Sequence, residues 1–301
     1  NVINKIKDDG NELTSFYSFT GGLVAPDSDN NPWNYKFTWN PRNVVMAGNG
    51  VSQFIKNGRY KYIPYHRLFD RAFNRKILGY GDFEVYANRD SLKYRSIYDL
   101  KDIPSMFRGT IRRPGFSKAW NVFVRLGMTE DNYTLESSEN MTYRQFLNSF
   151  LRYEPNVPAE IKLQEYCSNA ADPVVMEKLK WLGIFDERKI GLKNATPAQI
   201  LQQLLEERWS MDPQDKDMIV MQHEFKYLTD GVEKMIVSAM AVIGKNQTET
   251  AMAITVGLPL AIATKLLMLG KFNHTGVILP TEKQMYEPIL DELSTFGITF
   301  E

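Results

Sequence analysis

The sequence predicts an α+β fold: a mixed β-sheet domain with helices, interrupted by an all-helical insertion domain. Three observations carry this reading. Segments of period-two alternation lie toward both ends of the chain, the middle repeats apolar residues every three or four positions, and the regular βαβ rhythm of a complete doubly wound sheet is missing. The expected boundaries are 1–115 with 214–301 for the α/β domain and 116–213 for the helical one.

Taken in order, residues 2–9 read as a short helix. Val2, Ile3 and Ile6 share a face, and Gly10 stands where a helix-ending glycine belongs. Leu13–Thr20 alternates and reads as a strand, stopped by Gly21-Gly22. Ala25–Trp39, rich in Pro, Asp and Asn, is irregular, and long loops inside compact domains are more often functional than decorative. Pro41 and Arg42 open a helix whose buried side is expected to take Val44, Val45, Val51 and Ile55. Short strands follow near Arg59–Pro64 and Phe83–Tyr86, and Ser105–Arg113 is another.

After Gly115 the period changes. Phe116–Leu126, Tyr143–Tyr153, Ala159–Tyr166, Val174–Ile184 and Pro197–Trp209 read as helices. Thr142 and Thr196 serve as N-caps, Pro158 and Pro197 sit in first turns, and Gly127 and Gly183 stand near the ends. Strand character returns at Asp217–Tyr227, with Lys234–Ile243 as its hairpin partner across Asp230-Gly231. Thr248 is expected to cap a helix through Val256, with a second helix over Leu258–Leu269 after a break at Gly257. Gly276–Leu279 reads as a short strand. Thr281–Phe296 reads as a helix with a Thr281/Gln284 capping box, and Ile298–Phe300 as a last strand.

Composition narrows the function classes. The 301 residues carry 36 basic and 36 acidic side chains, a balance that argues against nucleic-acid and polybasic membrane binding. Apolar residues make up 43 %, enough for a sizeable core. Apolar stretches such as Gly257–Leu269, interrupted by Thr264 and Lys265, fall short of the roughly 20 residues that span a bilayer. Cys167 is the single cysteine and reads as a packed core thiol, which excludes an intrachain disulfide and favours a cytoplasmic location. Asn-x-Thr sequons at Asn132, Asn140, Asn194, Asn246 and Asn273 match a pattern common by chance. The first residue is not Met and no signal peptide is visible, so the chain is expected to be a fragment of something longer.

No metal-ligand spacing and no nucleophile elbow is present, and His66, His223 and His274 are far apart. Gly48-Asn49-Gly50 and Gly79-Tyr80-Gly81 lack the third glycine of a phosphate-binding loop. His223 reads as a core histidine on a central strand, and the methionines of the C-terminal third as core filling.

Two segments stand out. Ser18–Asn43, SFTGGLVAPDSDNNPWNYKFTWNPRN, joins adjacent glycines to two indoles. Glycines let backbone approach a ligand, and Trp33 and Trp39 could wall a pocket; equally, the segment could be a surface loop anchored by Trp packing. Met106–Phe116, MFRGTIRRPGF, places Arg108 and Arg112 on one face of a strand and Arg113 elsewhere. Together Arg108 and Arg112 could clamp carboxylates, whereas singly each reads as a solvated edge residue.

At these segments the chain resembles the glutamate-forming saccharopine dehydrogenases. GGLVAPDSDNNPWNYKFTWNPRNVV, RGTIRRPGF, KLKWLGIFDERKI, MIVMQHEFKY and GVILPTEKQMYEPILDELSTFGI match family segments in the same order. The resemblance implies NAD(P)-dependent oxidation of the secondary amine of saccharopine to glutamate and 2-aminoadipate 6-semialdehyde. It also implies a substrate-binding α/β domain that helps form a homodimer, a helical domain, and an N-terminal Rossmann domain missing from this sequence. Residues 275–301 are then expected to pack on that missing domain. NAD(P) is expected in the full-length enzyme and no cofactor on this fragment, which alone is expected to be inactive.

Carried over residue by residue, the resemblance assigns Thr20, Gly21, Gly22 and Trp39 to the substrate, with Arg108 and Arg112 on its carboxylates. Thr142 and Tyr143, at a helix start, align with another substrate-contacting stretch. Thr20 stands where the family often has Cys, and Arg113 where it has Tyr, an added charge that points to a carboxynorspermidine-like substrate as one alternative. A non-catalytic ligand-binding or dimerisation module of the same fold is another. The partners expected are thus a small amino-acid substrate, the Rossmann domain and a second copy, with no nucleic acid and no membrane.

Overall fold

The computed structural model describes every residue except Gly48 and Leu78. A short N-terminal helix α1 (Val2–Asp8) ends on Gly10, whose φ of +73° suits the residue after a helix cap. It leads into β1 (Glu12–Val24), a 13-residue strand that runs straight through Gly21-Gly22 instead of stopping there. The glycines are required by proximity, not by a turn: a Cβ on Gly21 would lie 2.7 Å from the Ile111 carbonyl oxygen. The irregular segment follows, with one 3-10 turn at Pro26–Ser28, and then α2 (Pro41–Val45).

That helix is only five residues long. Val51 and Ile55, expected on its buried side, belong instead to β2 (Val51–Lys56), which pairs with β3 (Arg59–Pro64). The break falls around Gly50, whose φ of +98° is unavailable to a helix. Gly48, part of the first Gly-x-Gly, lies outside the described residues. A second hairpin joins β4 (Phe73–Ile77) to β5 (Gly81–Ala87), so Gly79-Tyr80-Gly81 closes a hairpin. After α3 (Tyr94–Ile97) comes β6 (Ser105–Arg112).

The chain then forms α4 (Phe116–Leu126), α5 (Tyr143–Asn148), α6 (Ala159–Tyr166), α7 (Pro173–Leu182) and α8 (Pro197–Trp209). Thr142 and Thr196 each close a full capping box, with Gln145 and Gln199, and Gly127 and Gly183 end helices in the left-handed region. Long antiparallel strands β7 (Asp217–Thr229) and β8 (Val232–Ile243) follow, joined by Asp230-Gly231 with both φ values positive.

The last elements are α9 (Ala251–Met268) and α10 (Lys283–Thr295). Thr250, not Thr248, caps α9, and the helix continues past Gly257 and Pro259 as one piece. At 18 residues it is long and apolar enough to cross a membrane by length and composition, which the segmented reading of this region missed. Here its Ile262 packs with Phe272, Ile289 and Leu293. Among the described residues, 276–279 form no strand, and Glu282 replaces Thr281 at the N-cap of α10 without a side-chain cap. Residues 298–300 are not a strand either, although Glu301 exchanges two backbone hydrogen bonds of 2.9 Å with Ala239 at the edge of β8.

All eight strands belong to one mixed sheet, with a main path β3-β2-β6-β1-β7-β8. β1 and β6 are parallel at its centre, and β6 is shared on its other side between β2 and β5. One face of the central strands, with Phe19, Phe107 and Ile111, joins the main core that includes the helical block. On the opposite face, Phe16, Met106 and Phe225 cluster with Ile6 of α1 at one end. At the other end Ile219 and Met240 meet Ala251 of α9. The space between these two clusters is open.

Candidate anion-binding site

The open space is a cavity of about 630 Å³. Its floor follows from strand register: Thr20 pairs with Thr110 and Met221, and Met221 with Met240. Because side chains alternate across a strand, Arg108, Thr110 and Arg112 of β6 share this face. Gly21 and Gly22 continue the floor, Trp39 and Asn43 form one wall, and the segment Tyr86–Tyr94 supplies another. Met252, Thr255 and Val256 of α9 close the roof. That helix is fixed over the cavity by Asp217, whose buried carboxylate accepts the amide N–H groups of Ala251 (2.6 Å) and Met252 (2.9 Å).

Charge is the distinguishing property. Arg89, Lys93, Arg108 and Arg112 line the cavity, and no Asp or Glu does among the described residues. None of the four forms an ion pair there. Arg112 is only 3 % exposed, and its Nε has no hydrogen-bond partner. Its guanidinium rests among the rings of Tyr35 (5.1 Å), Tyr86 (5.8 Å) and Phe116 (5.3 Å), and one terminal nitrogen donates to the Ile111 carbonyl. The carboxylate opposite it in register, Glu84, is spent elsewhere: it accepts the amide N–H groups of Gly115 (3.1 Å) and Ser117 at the start of α4. An unpaired buried cation is costly, a cost that an anionic ligand in the cavity would offset.

The site residues named from sequence divide. Thr20, Gly21, Gly22, Trp39, Arg108 and Arg112 come together on this cavity. Thr142 and Tyr143 do not. Thr142 caps α5 and donates to Glu187, while Tyr143 is fully buried with its hydroxyl accepting from Gln203 (2.9 Å). Trp33 also leaves the pocket, being fully buried, stacked on Phe123 at 6.0 Å and hydrogen-bonded through Nε1 to the Lys178 carbonyl. It anchors the loop, whereas Trp39, 40 % exposed, faces the ligand space. Arg113 lies over the Phe83 ring at 4.8 Å and does not line the cavity, so it lends no support to an altered substrate.

Of the methionines read as core, Met218 and Met240 are buried, while Met235 and Met268 are exposed. His223 sits beside the rings of Phe300 (5.3 Å), Phe16 (6.1 Å) and Phe225 (6.3 Å), with Nδ1 unpartnered, and burial pushes its pKa down to about 4. The sequence reading missed Asn43, Arg89, Lys93 and Tyr94. The available signal was Asn88-Arg89-Asp90-Ser91, a turn cluster carrying a cation directly after a strand.

Fold and cavity together define a mixed-sheet domain that carries a cation-lined cavity. The family model described as "Saccharopine dehydrogenase C-terminal domain" matches residues 1–298, and the chain belongs to that family. Among curated relatives, the mitochondrial alpha-aminoadipic semialdehyde synthase of Rattus norvegicus is 32 % identical over 99 % of this chain and 33 % of its own length. The saccharopine dehydrogenase [NADP(+), L-glutamate-forming] of Schizosaccharomyces pombe is 28 % identical over 100 % of this chain and 68 % of its own. The solved apo saccharopine dehydrogenase (L-Glu forming) of Saccharomyces cerevisiae superposes with a TM-score of 0.88 at 29 % identity, covering 100 % of this chain and 69 % of that one. This chain thus spans about a third of the length of the mammalian synthases and about two thirds of the fungal dehydrogenases.

Proposed function

We propose that the chain is the substrate-binding portion of an NAD(P)-dependent oxidoreductase of the saccharopine dehydrogenase type. It holds saccharopine while the secondary amine is oxidised, and the products are glutamate and 2-aminoadipate 6-semialdehyde. The observation that carries this reading is the cavity, lined among the described residues by four cationic side chains and no acidic one, with a buried unpaired Arg112. Saccharopine, with three carboxylates, supplies the missing negative charge.

The residues here bind and orient. Arg108 and Arg112 fix carboxylates, the backbone of Gly21 and Gly22 borders the ligand along the floor, and Trp39 covers it. The nicotinamide cofactor would supply the hydride acceptor, and this reading assigns it, with NADP favoured by the names of the fungal relatives, to a Rossmann domain outside this chain. A homodimer belongs to the same reading, with the open edge of β8, where Val232 and Met235 are exposed, as its candidate contact.

The test is saccharopine-dependent reduction of NADP+ by the full-length protein, alongside variants Arg108→Ala and Arg112→Ala. Each is expected to lower kcat/KM at least about tenfold, or 1.4 kcal/mol. Unchanged values in both would remove the clamp.

A further inference from the structure

We propose that Glu84 is a positioning residue for ligand binding. By capping α4 it holds the Phe116 ring against Arg112 and keeps its own carboxylate off that guanidinium, so the charge of Arg112 stays free for an anionic ligand. This rests on the reading above that Arg112 takes a substrate carboxylate.

Glu84 of β5 and Arg112 of β6 are direct partners in an antiparallel ladder. Side chains so paired project from the same face of the sheet, and opposite charges at such positions attract. Both residues are buried, where an ion pair has little water to compete with it. Yet Arg112 Nε has no partner, and one terminal nitrogen donates to the Ile111 carbonyl (2.9 Å) instead of to Glu84.

The reason lies in the turn from β6 into α4. Gly115, left-handed at φ +85°, stands at the N-cap and offers no side chain, and the first turn of α4 carries no acid. The helix therefore has no counter-charge of its own at its positive end. Glu84 supplies one from the neighbouring strand. One carboxylate oxygen accepts the Gly115 N–H (3.1 Å), and the other accepts the Ser117 N–H. Lys178 lies beside this turn, its Cε 3.7 Å from where a Cβ on Gly115 would sit. It leaves the carboxylate alone, because its amine donates to the Pro32 carbonyl.

Phe116 is the residue between the two bonded amides, and the clamp sets its place. Its ring stands 5.3 Å from the Arg112 guanidinium and 5.3 Å from the Tyr35 ring, which is itself 5.1 Å from the guanidinium. Such rings fix where the guanidinium lies and leave its charge unpaired. Glu84 thus acts on Arg112 twice without touching it, once through Phe116 and once by withholding the ion pair that the ladder register invites.

The experiment uses the full-length protein and measures kcat and KM for saccharopine in Glu84→Ala, Glu84→Gln, Phe116→Leu and Arg112→Gln, and in Glu84→Ala combined with Arg112→Gln. Glu84→Ala is expected to raise KM about fivefold or more with kcat within about twofold of the parent. Glu84→Gln, whose side-chain oxygen still accepts an amide N–H, is expected to stay within about twofold in KM. In the Arg112→Gln background, Glu84→Ala adds less than about twofold, because its effect passes through the guanidinium already removed. A residue that served stability alone would instead lower the melting temperature and leave KM in place. An unchanged KM in Glu84→Ala, losses that multiply in the double variant, or a Gln variant as impaired as the Ala one would each overturn the proposal. Should Glu84→Ala not fold, Phe116→Leu run through the same cycle with Arg112→Gln decides it, and multiplied losses there overturn it too. An unchanged KM in Arg112→Gln alone overturns the underlying reading as well, which separates the two failures.

Discussion

The Arg108 guanidinium lies 4.3 Å from the centroid of the Tyr94 ring, and that ring stacks in turn on Tyr98 at 5.7 Å. A cation held over an aromatic face keeps its hydrogen-bonding edge free, so Arg108 is oriented without being neutralised. Tyr94→Leu is therefore expected to weaken saccharopine binding by about 0.5–2 kcal/mol, while Tyr94→Phe stays close to the parent. Calorimetric titration of both variants checks this, and equal losses would show that the hydroxyl, not the ring, matters.

Arg112 sets stability against binding. Its charge is buried without a carboxylate, and only ring faces and one carbonyl compensate it. Arg112→Met keeps much of the volume and removes the charge. Without ligand, the variant is expected to match or exceed the parent in stability, by about 1 kcal/mol, and to lose saccharopine binding at least about tenfold. Thermal unfolding with and without ligand measures both; a strongly destabilised variant would show that the cation is already satisfied.

The adjacent glycines of β1 separate by what a methyl group would meet. At Gly21 it would press on the Ile111 backbone oxygen at 2.7 Å, in the partner strand of the sheet centre. At Gly22 it would meet the Met252 methyl at 3.0 Å and Thr38 Oγ1 at 3.1 Å, side-chain atoms that can shift. Gly21→Ala is expected to cost about 1–3 kcal/mol by forcing the strands apart, and Gly22→Ala under about 1 kcal/mol. Urea denaturation ranks them, and the reverse order would contradict the packing described.

His223 gives a pH signature. Its folded pKa, about 4, lies below the ordinary 6.5 because burial disfavours the charged ring. The unfolded chain therefore binds the proton first as pH falls. Stability is unaffected by this group above pH 6.5 and declines between about 6.5 and 4, by at most about 3 kcal/mol. In His223→Phe, which retains a ring beside Phe300, that slope should flatten; denaturation curves at several pH values across the window read it directly.

The helical block was legible because its punctuation is local. Thr142, Thr196, Gly127 and Gly183 act within one turn of their own positions, and α4, α6 and α8 have the limits that the spacing predicts. The sheet was harder because its reasons are distant. Val44, Val45, Val51 and Ile55 mimic one helix face, although a turn at Gly50 sends the second pair into a strand. Gly21-Gly22 looked like a stop because nothing nearby in sequence announces that Ile111 presses against it. Gly257 looked like a break, yet Leu258, Ile262 and Leu266 carry α9 across it by packing with Ile289 and Leu293 of α10. Within the cavity, Arg108 and Arg112 could be paired from strand periodicity, whereas Arg89 and Lys93 required knowing that the β5–α3 turn folds back over β6.

Among the described residues, none between 113 and 218 lines the cavity, although those positions hold all five helices of the central block. Recognition and bulk are segregated along this polypeptide. Exchanges in the middle third are expected to leave the cavity wall intact so long as the platform they prop up keeps its shape, whereas exchanges in the flanking thirds alter that wall directly.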